Sequence, residues 1–517
     1  MWICRFFNRT YRSIVADDEL LRNLDLIALS AAIGTVLFTN AGGAAFTGYA
    51  SALGAGELMF GLISALPIFG SLLQLYVSYL IEKTGKRKAL FLTGGLIQRA
   101  LWTLTAFIPF FLPAQLAHLR VWALLIMITL AASSGSFVGV THTSMVAEII
   151  PIGIRGRYLT TRQRVATVVS MLSGFGASFV LDHFTGLTGY SIVFAVAGFA
   201  GMCDVLMYVK FKFPEAKRTP GKFSMSKGIR ECFRTPRTRD YIIFFCVWSF
   251  AINISAPFFN KYAIDVLRLS FTQIILFGQI SANLMVLLIV RRWGRFIDRF
   301  GCVPLLFFSG LMASVLTLVW LPATPGNFIP LLIFNMIGGI FWCANDACAV
   351  NMQLSHTPEI GRPLVIAIYA VITSISAAIA FIIGGAFLEI MSPVMSAARM
   401  TVFGTPFDHY KLLFVIATVF RLTAVLVFLP RVWNEKELKT KDVYQEILRD
   451  SVIKVKTLRF AIYVAIRRHR YLRSERKKEN ALIPAAERYR SLTVRLPFKR
   501  RRSLTVLLPI KRKRRRY

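Results

Sequence analysis

One short phrase occurs twice in this chain, each time after a long apolar segment. Ser78-Tyr-Leu-Ile-Glu82-Lys83-Thr-Gly85-Lys86-Arg87-Lys88 is followed about 216 residues later by Gly294-Arg-Phe-Ile-Asp298-Arg299-Phe-Gly301. Both read as small residue, three-residue spacer, acid, cation, any residue, Gly, and each fills the polar hinge between two hydrophobic runs. A duplication on that scale in an apolar chain restricts the fold to two versions of one membrane bundle and points to a secondary transporter.

The runs around these hinges have the length a bilayer demands. A hydrocarbon core needs about 20 apolar residues per helical span. Runs of that order lie near 24–50, 58–81, 89–111, 121–147, 165–180 and 190–209, and again near 241–263, 271–290, 303–320, 328–351, 363–390 and 412–429. The expected fold is therefore all-α and polytopic, with about twelve transmembrane helices in two pseudo-symmetric six-helix bundles. Hydrophobic residues make up 55% of the 517 residues and charged residues 17%, too apolar for a soluble domain of this length. The runs are continuous rather than alternating, which argues against a β-barrel.

Cations set the orientation. Short loops on one side hold Lys83, Lys86, Arg87 and Lys88, then Arg155, Arg157, Arg162 and Arg164, then Arg291, Arg292, Arg295 and Arg299; the alternate loops at 182–189 and 322–328 carry no Lys or Arg. The positive-inside rule places both termini in the cytoplasm of a cell inner-membrane protein. The expected layout is a cytoplasmic N-terminal segment at 1–23, a first bundle at 24–209, a basic linker at 210–240, a second bundle at 241–431 and a basic tail at 432–517. A second correspondence supports the duplication: Pro151, Arg155 and Asp182 match Pro358, Arg362 and Glu389 at an offset of about 207. The N-terminus lacks the apolar stretch and cleavage site of a signal peptide, so the first span is expected to be retained.

The net charge is +36, and about half of it lies beyond Val432, where Arg490-Ser-Leu-Thr-Val-Arg-Leu-Pro497 recurs as Arg502-Ser-Leu-Thr-Val-Leu-Leu-Pro509 before a polybasic end. Attraction to anionic lipid is the expected role of this tail; no nucleic-acid-binding fold or stacking pattern accompanies it. The seven cysteines form no Cys-x-x-Cys pair, and neither a metal site nor a cofactor is expected. No Gly-x-x-x-x-Gly-Lys-Ser/Thr phrase is present, which speaks against ATP-driven transport by this chain alone. No His/Asp/Ser constellation suggests an enzyme.

At its hinge phrases the chain resembles the major facilitator superfamily, whose signature is Gly-x-x-x-Asp-Arg/Lys-x-Gly-Arg/Lys-Arg/Lys. Ser78 and Glu82 stand for the leading Gly and the Asp of the first copy, with Lys83, Gly85, Lys86 and Arg87 in place. The second copy keeps Gly294, Asp298, Arg299 and Gly301 but has Cys302 and Val303 where cations would follow. The resemblance covers about 24–430. It implies that Glu82 meets the start of the eleventh helix near Arg362, and Asp298 the start of the fifth near Arg157, closing one side of the transporter. It also implies that helices one, four, seven and ten line a central cavity. Polar residues on them are then candidates for binding substrate or proton: Asn40, His142, Asn253 and above all Asp346, because a carboxylate within a span is costly unless paired, hydrated or protonated. Arg99 and Arg421 fall mid-span and need partners that the sequence does not name, and Asp204 is placed near a hydrated helix end.

The expected function is secondary active, alternating-access movement of a small solute, coupled to protons. A membrane receptor or scaffold acting through the basic tail is the competing reading.

Overall fold

In a computed structural model of the chain, the described residues are 18–184, 186–211, 233–356, 362–398, 400–402 and 404–432. All belong to one compact unit, Met1–Lys439. The N-terminal segment before Asp18, most of the linker and the tail beyond Val432 lie outside the described residues.

Among the described residues, helices join into twelve long rods. In the first half α1 is Asp18–Gly42, continued by Ala44–Ala52; α2 is Glu57–Ser71, continued by Leu73–Thr84; α3 is Arg87–Thr105; α4 is Ala117–Ile149; α5 is Ile152–His183; and α6 is Leu187–Leu206 with a 3-10 turn at Met207–Lys210. In the second half α7 is Pro236–Asn253, resumed at Phe258–Lys261 and Tyr262–Val266; α8 runs through Phe271–Gln273, Ile274–Ile280 and Ser281–Phe300; α9 is Cys302–Val315 with Leu316–Trp320; α10 is Ile329–His356; α11 is Arg362–Ala398; and α12 runs from His409–Thr423 through Ala424–Phe428 to Leu429–Val432. Ten rods contain a stretch long and apolar enough to cross a membrane; the apolar part of α2, Glu57–Gly70, is shorter, and α3 carries Arg87, Lys88, Gln98 and Arg99 within 19 residues. The chain is an all-α, polytopic membrane protein.

The rods outrun the apolar stretches where polar sequence keeps helical propensity. The fifth starts at Ile152, well before the apolar run from 165, because Arg155, Arg162 and Arg164 are residues of good helix propensity that extend the rod on that side. A two-stranded hairpin, Thr401–Val402 with Thr405–Pro406, precedes α12 and has no counterpart in the sequence reading. Gly85 and Gly301, the last residues of the repeated phrase, end α2 and α8 with φ of 67° and 86°. Those left-handed values explain why both copies keep a glycine there.

The distribution of buried apolar side chains sets the architecture. The Gly85 and Gly301 turns lie at one end of the rods, termed here the basic end. There each half keeps a core of its own: Leu24, Phe91, Tyr158 and Phe211 in the first, Tyr241, Leu305, Met352 and Leu429 in the second. At the far end a single core spans both halves, with Tyr49, Phe60 and Phe194 packed in one cluster with Phe258, Tyr262, Trp320 and Phe414. Close backbone approach accompanies this joint. A Cβ on Gly61 of α2 would lie 2.6 Å from the Phe381 carbonyl oxygen of α11, and one on Gly385 would lie 2.8 Å from the Glu57 carbonyl oxygen. Among the described residues the halves thus share one core at the far end and have separate cores at the basic end.

Candidate functional site

A cavity of about 860 Å³ opens between α1, α3, α4, α5, α6 and α8. It reaches from Phe91, Leu159 and Tyr208, close to the basic end, to Phe38, Ser170 and Gln279 near mid-span. Its volume is in the range of small-molecule sites.

A buried ion pair forms one wall. Arg99 Nη2 donates to Asp204 Oδ2 at 3.1 Å, and Arg99 Nη1 to Gln98 Oε1 at 2.5 Å. Ser30 donates to Asp204 Oδ1 and also hydrogen-bonds the Tyr208 hydroxyl at 3.1 Å. Arg99 is 1% exposed and its guanidinium stands 4.9 Å from the Phe38 ring centre. Glycines make room for the pair: a Cβ on Gly34 would come within 2.6 Å of Asp204 Oδ2, and one on Gly201 within 2.8 Å of Arg99 Cδ. The sequence reading required a partner for Arg99 without naming it, and placed Asp204 near a hydrated helix end. They are each other's partners, on adjacent rods 105 residues apart.

The four candidates for substrate or proton binding are placed differently. His142 on α4 lines the large cavity, its ring 6.3 Å from that of Phe91 and 6.1 Å from that of Tyr208. Asp346 on α10 lines a separate recess of about 280 Å³ with Trp342, Cys343, Asn335, Ala282 and Val286. One helix separates the two: Gln279 and Asn283 of α8 face the large cavity, Ala282 and Val286 the recess. Asp346 has no hydrogen bond or ion pair among the described residues. Asn40 is buried and donates to the Val36 carbonyl at 2.8 Å and to Ser173 Oγ at 3.0 Å, tying α1 to α5. Asn253 donates to Ser249 of its own helix, at 2.7 Å to the carbonyl.

Arg421, the other mid-span cation, donates to the Ala251 and Ile252 carbonyls at 3.3 Å and to Ser255 Oγ at 3.1 Å. Helix α7 is interrupted between Asn253 and Phe258, at Pro257, and the break frees backbone acceptors for a buried guanidinium.

For the gating residues the structure describes only part. The side chains of Glu82, Arg157, Asp298 and Arg362 lie outside the described residues, so the two contacts implied by the family resemblance do too. Lys83, Lys86 and Arg299 are exposed and Arg87 is buried; Arg299 stacks 4.8 Å from the Phe300 ring, and Gly294 lies within α8 with open space where a Cβ would go.

The far end carries contacts that sequence reasoning did not assign. Asp182 of α5 accepts from the Phe271 and Thr272 amides at the start of α8, both at 2.8 Å. Glu389 of α11 accepts from the Glu57 and Leu58 amides at the start of α2, at 3.1 and 3.3 Å. Each carboxylate caps a helix of the opposite half, where unsatisfied amides and the helix dipole favour negative charge. These are the two acids matched at the offset of about 207, so the duplicated halves use them alike. Between the caps, Lys261 reaches Asp265 at 2.7 Å, Glu57 at 3.8 Å and Ser51 Oγ at 3.3 Å, while Tyr410 donates to Glu57 at 2.5 Å. Removing both caps, as Asp182→Ala with Glu389→Ala, is expected to speed labelling of a cysteine placed at buried Leu53 by about tenfold, the equivalent of about 1.4 kcal/mol. An unchanged rate of maleimide labelling would mean the caps do not hold the far end shut.

The comparisons with known proteins agree with this architecture. The sequence profile of the Major Facilitator Superfamily matches residues 27–292 and 292–473. No curated protein matches the chain in sequence. Among solved structures, a variant of the nucleoside transporter NupG is similar with a TM-score of 0.62 and 12% identity, over 78% of this chain and 98% of that one. A bacterial homologue of the human lysosomal transporter Spinster, in an inward-facing and unoccupied conformation, gives 0.58 and 15%, over 81% and 99%. The xylose transporter XylE from E. coli, in an inward-open conformation, gives 0.56 and 16%, also over 81% and 99%. At these identities the likeness establishes the fold, and with the profile spanning both halves, the chain belongs to the major facilitator superfamily.

Proposed function

We propose that this protein is a proton-coupled secondary transporter that moves a small polar solute by alternating access, with its basic end in the cytoplasm of a cell membrane. The observation that carries this reading is the single core shared by both halves at the far end against two separate cores at the basic end. A polar cavity of transporter-site size reaches from that divided end to mid-span. The arrangement corresponds to one of two states; tilting the halves about the far-end joint converts it into the other. The cation-rich turns at the divided end favour the cytoplasm there.

Asp346 is the group assigned to the proton. It lies within a membrane-spanning rod, has no counter-charge among the described residues, and shares α8 with the solute cavity as a common wall. A carboxyl group so placed exchanges a proton without dismantling an ion pair, and α8 can pass its state to the cavity.

Entrance counterflow tests the transport reading independently of any driving force. Liposomes containing the protein are loaded in turn with nucleosides, sugars, amino acids and organic acids, then diluted into labelled tracer of the same compound. One class is expected to give a transient overshoot of tracer. Absence of counterflow for every class, with protein that is folded and monodisperse, would refute transport.

A further inference from the structure

The large cavity is not electrically balanced. Among the described residues its ionisable lining consists of Arg99, Arg162, His142, Asp204 and the Tyr208 phenol. Arg99 and Asp204 neutralise each other at 3.1 Å. Arg162, on α5 and half-buried, has no ion pair or hydrogen bond among the described residues, yet lies close enough to His142, Asp204 and Tyr208 to act on all three electrostatically. Among the described residues Asp204 is the one carboxylate lining the cavity and it is paired with Arg99, and protonation of His142 can only add positive charge. Among the described residues the cavity therefore holds one uncompensated guanidinium beside neutral polar groups: Gln163, Thr167, Ser170, Gln279 and Asn283.

We infer that the solute carries an anionic group, a carboxylate or a phosphate, and that Arg162 is the cation that binds it; this rests on the transport reading above. A guanidinium in partly desolvated surroundings gains little from leaving its charge unpaired, and its planar donor pair matches both anions. The rest of the solute meets amides and hydroxyls that tolerate a polar body: Gln279 Nε2 donates to Ser170 Oγ at 2.8 Å, leaving the Gln279 carbonyl oxygen as an acceptor at the cavity floor. Because Gln279 and Asn283 belong to α8, an anion drawn to Arg162 on α5 bridges the two halves from within the cavity. That is the differential contact through which a bound solute would favour closing the basic end.

Matched pairs test the charge and nothing else. Thermal stabilisation of the full chain in detergent is measured with glucuronate and glucose 6-phosphate against glucose, and with succinate against succinamide. The anions are expected to raise the unfolding temperature where their neutral partners do not, since a ligand of the folded state stabilises it by mass action. Glucuronate against glucose 6-phosphate separates carboxylate from phosphate. Arg162→Gln should weaken the anion response by about tenfold or more, or about 1.4 kcal/mol, and Arg162→Lys should keep part of it. Equal stabilisation by the neutral partners, no response to any of the anions, or an undiminished response in folded Arg162→Gln would each overturn the inference. If neutral compounds give counterflow, transport stands and the anion site falls. If anions bind through Arg162 yet none gives counterflow, the site stands and transport falls.

Discussion

Asp204→Leu is expected to cost about 3–5 kcal/mol of stability, the penalty for stranding one member of a buried ion pair. The loss should appear as a sharply lower unfolding temperature in detergent. The Arg99 guanidinium would keep Gln98 and the Phe38 face but no counter-charge among the described residues, in surroundings that Gly34 and Gly201 shape around the pair. Arg99→Met should cost a similar amount by stranding Asp204, although Ser30 still donates to it. The double variant Arg99→Met with Asp204→Leu should recover most of the loss, because apolar partners of similar volume often replace a buried pair without penalty. Additive losses in the double variant would show that the two residues stabilise the protein independently of each other.

Asp346→Asn is expected to uncouple transport from the proton gradient while leaving counterflow intact. With one proton carried per solute and the membrane potential clamped, a gradient of one pH unit supplies about 1.4 kcal/mol and drives about tenfold accumulation. In the Asn variant the accumulation ratio should fall to about one. The substitution keeps size and polarity, so an effect on packing is not expected in a recess lined by Trp342, Cys343 and Val286. Tenfold accumulation persisting in Asp346→Asn would exclude this carboxylate as the proton carrier.

The fold was largely legible because each signal behind it is local. Apolar runs, ten of them with a stretch of bilayer length among the described residues, and glycine at two tight reversals need no knowledge of tertiary contacts. The match of Asp182 with Glu389 also survived translation into structure: both cap a helix of the other half. Their job could not be read, because the amides they accept from are 89 and 332 residues away in sequence.

The candidate site was legible only in outline. His142 was found by looking for polar groups on α4, and it lines the cavity. The Arg99–Asp204 pair was missed because each residue was weighed alone. Two opposite charges on neighbouring spans, neither affordable unpaired in a membrane, were the available signal. Arg162 was counted among the loop cations that fix topology, since nothing local shows that α5 continues past it and turns it toward a cavity. Nor could periodicity reveal that Asp346 and His142 face separate chambers with α8 between them.

The central claim is that the halves rock about their far-end joint. Spin-label distances across both ends test it most directly, in a background freed of the native cysteines: Thr84→Cys with Arg295→Cys at the basic end, and Phe184→Cys with Thr324→Cys at the far end. On saturation with a solute that gives counterflow, the account predicts a population in which the basic-end distance shortens while the far-end distance lengthens. Both distances unchanged, or both moving in the same direction, would contradict it.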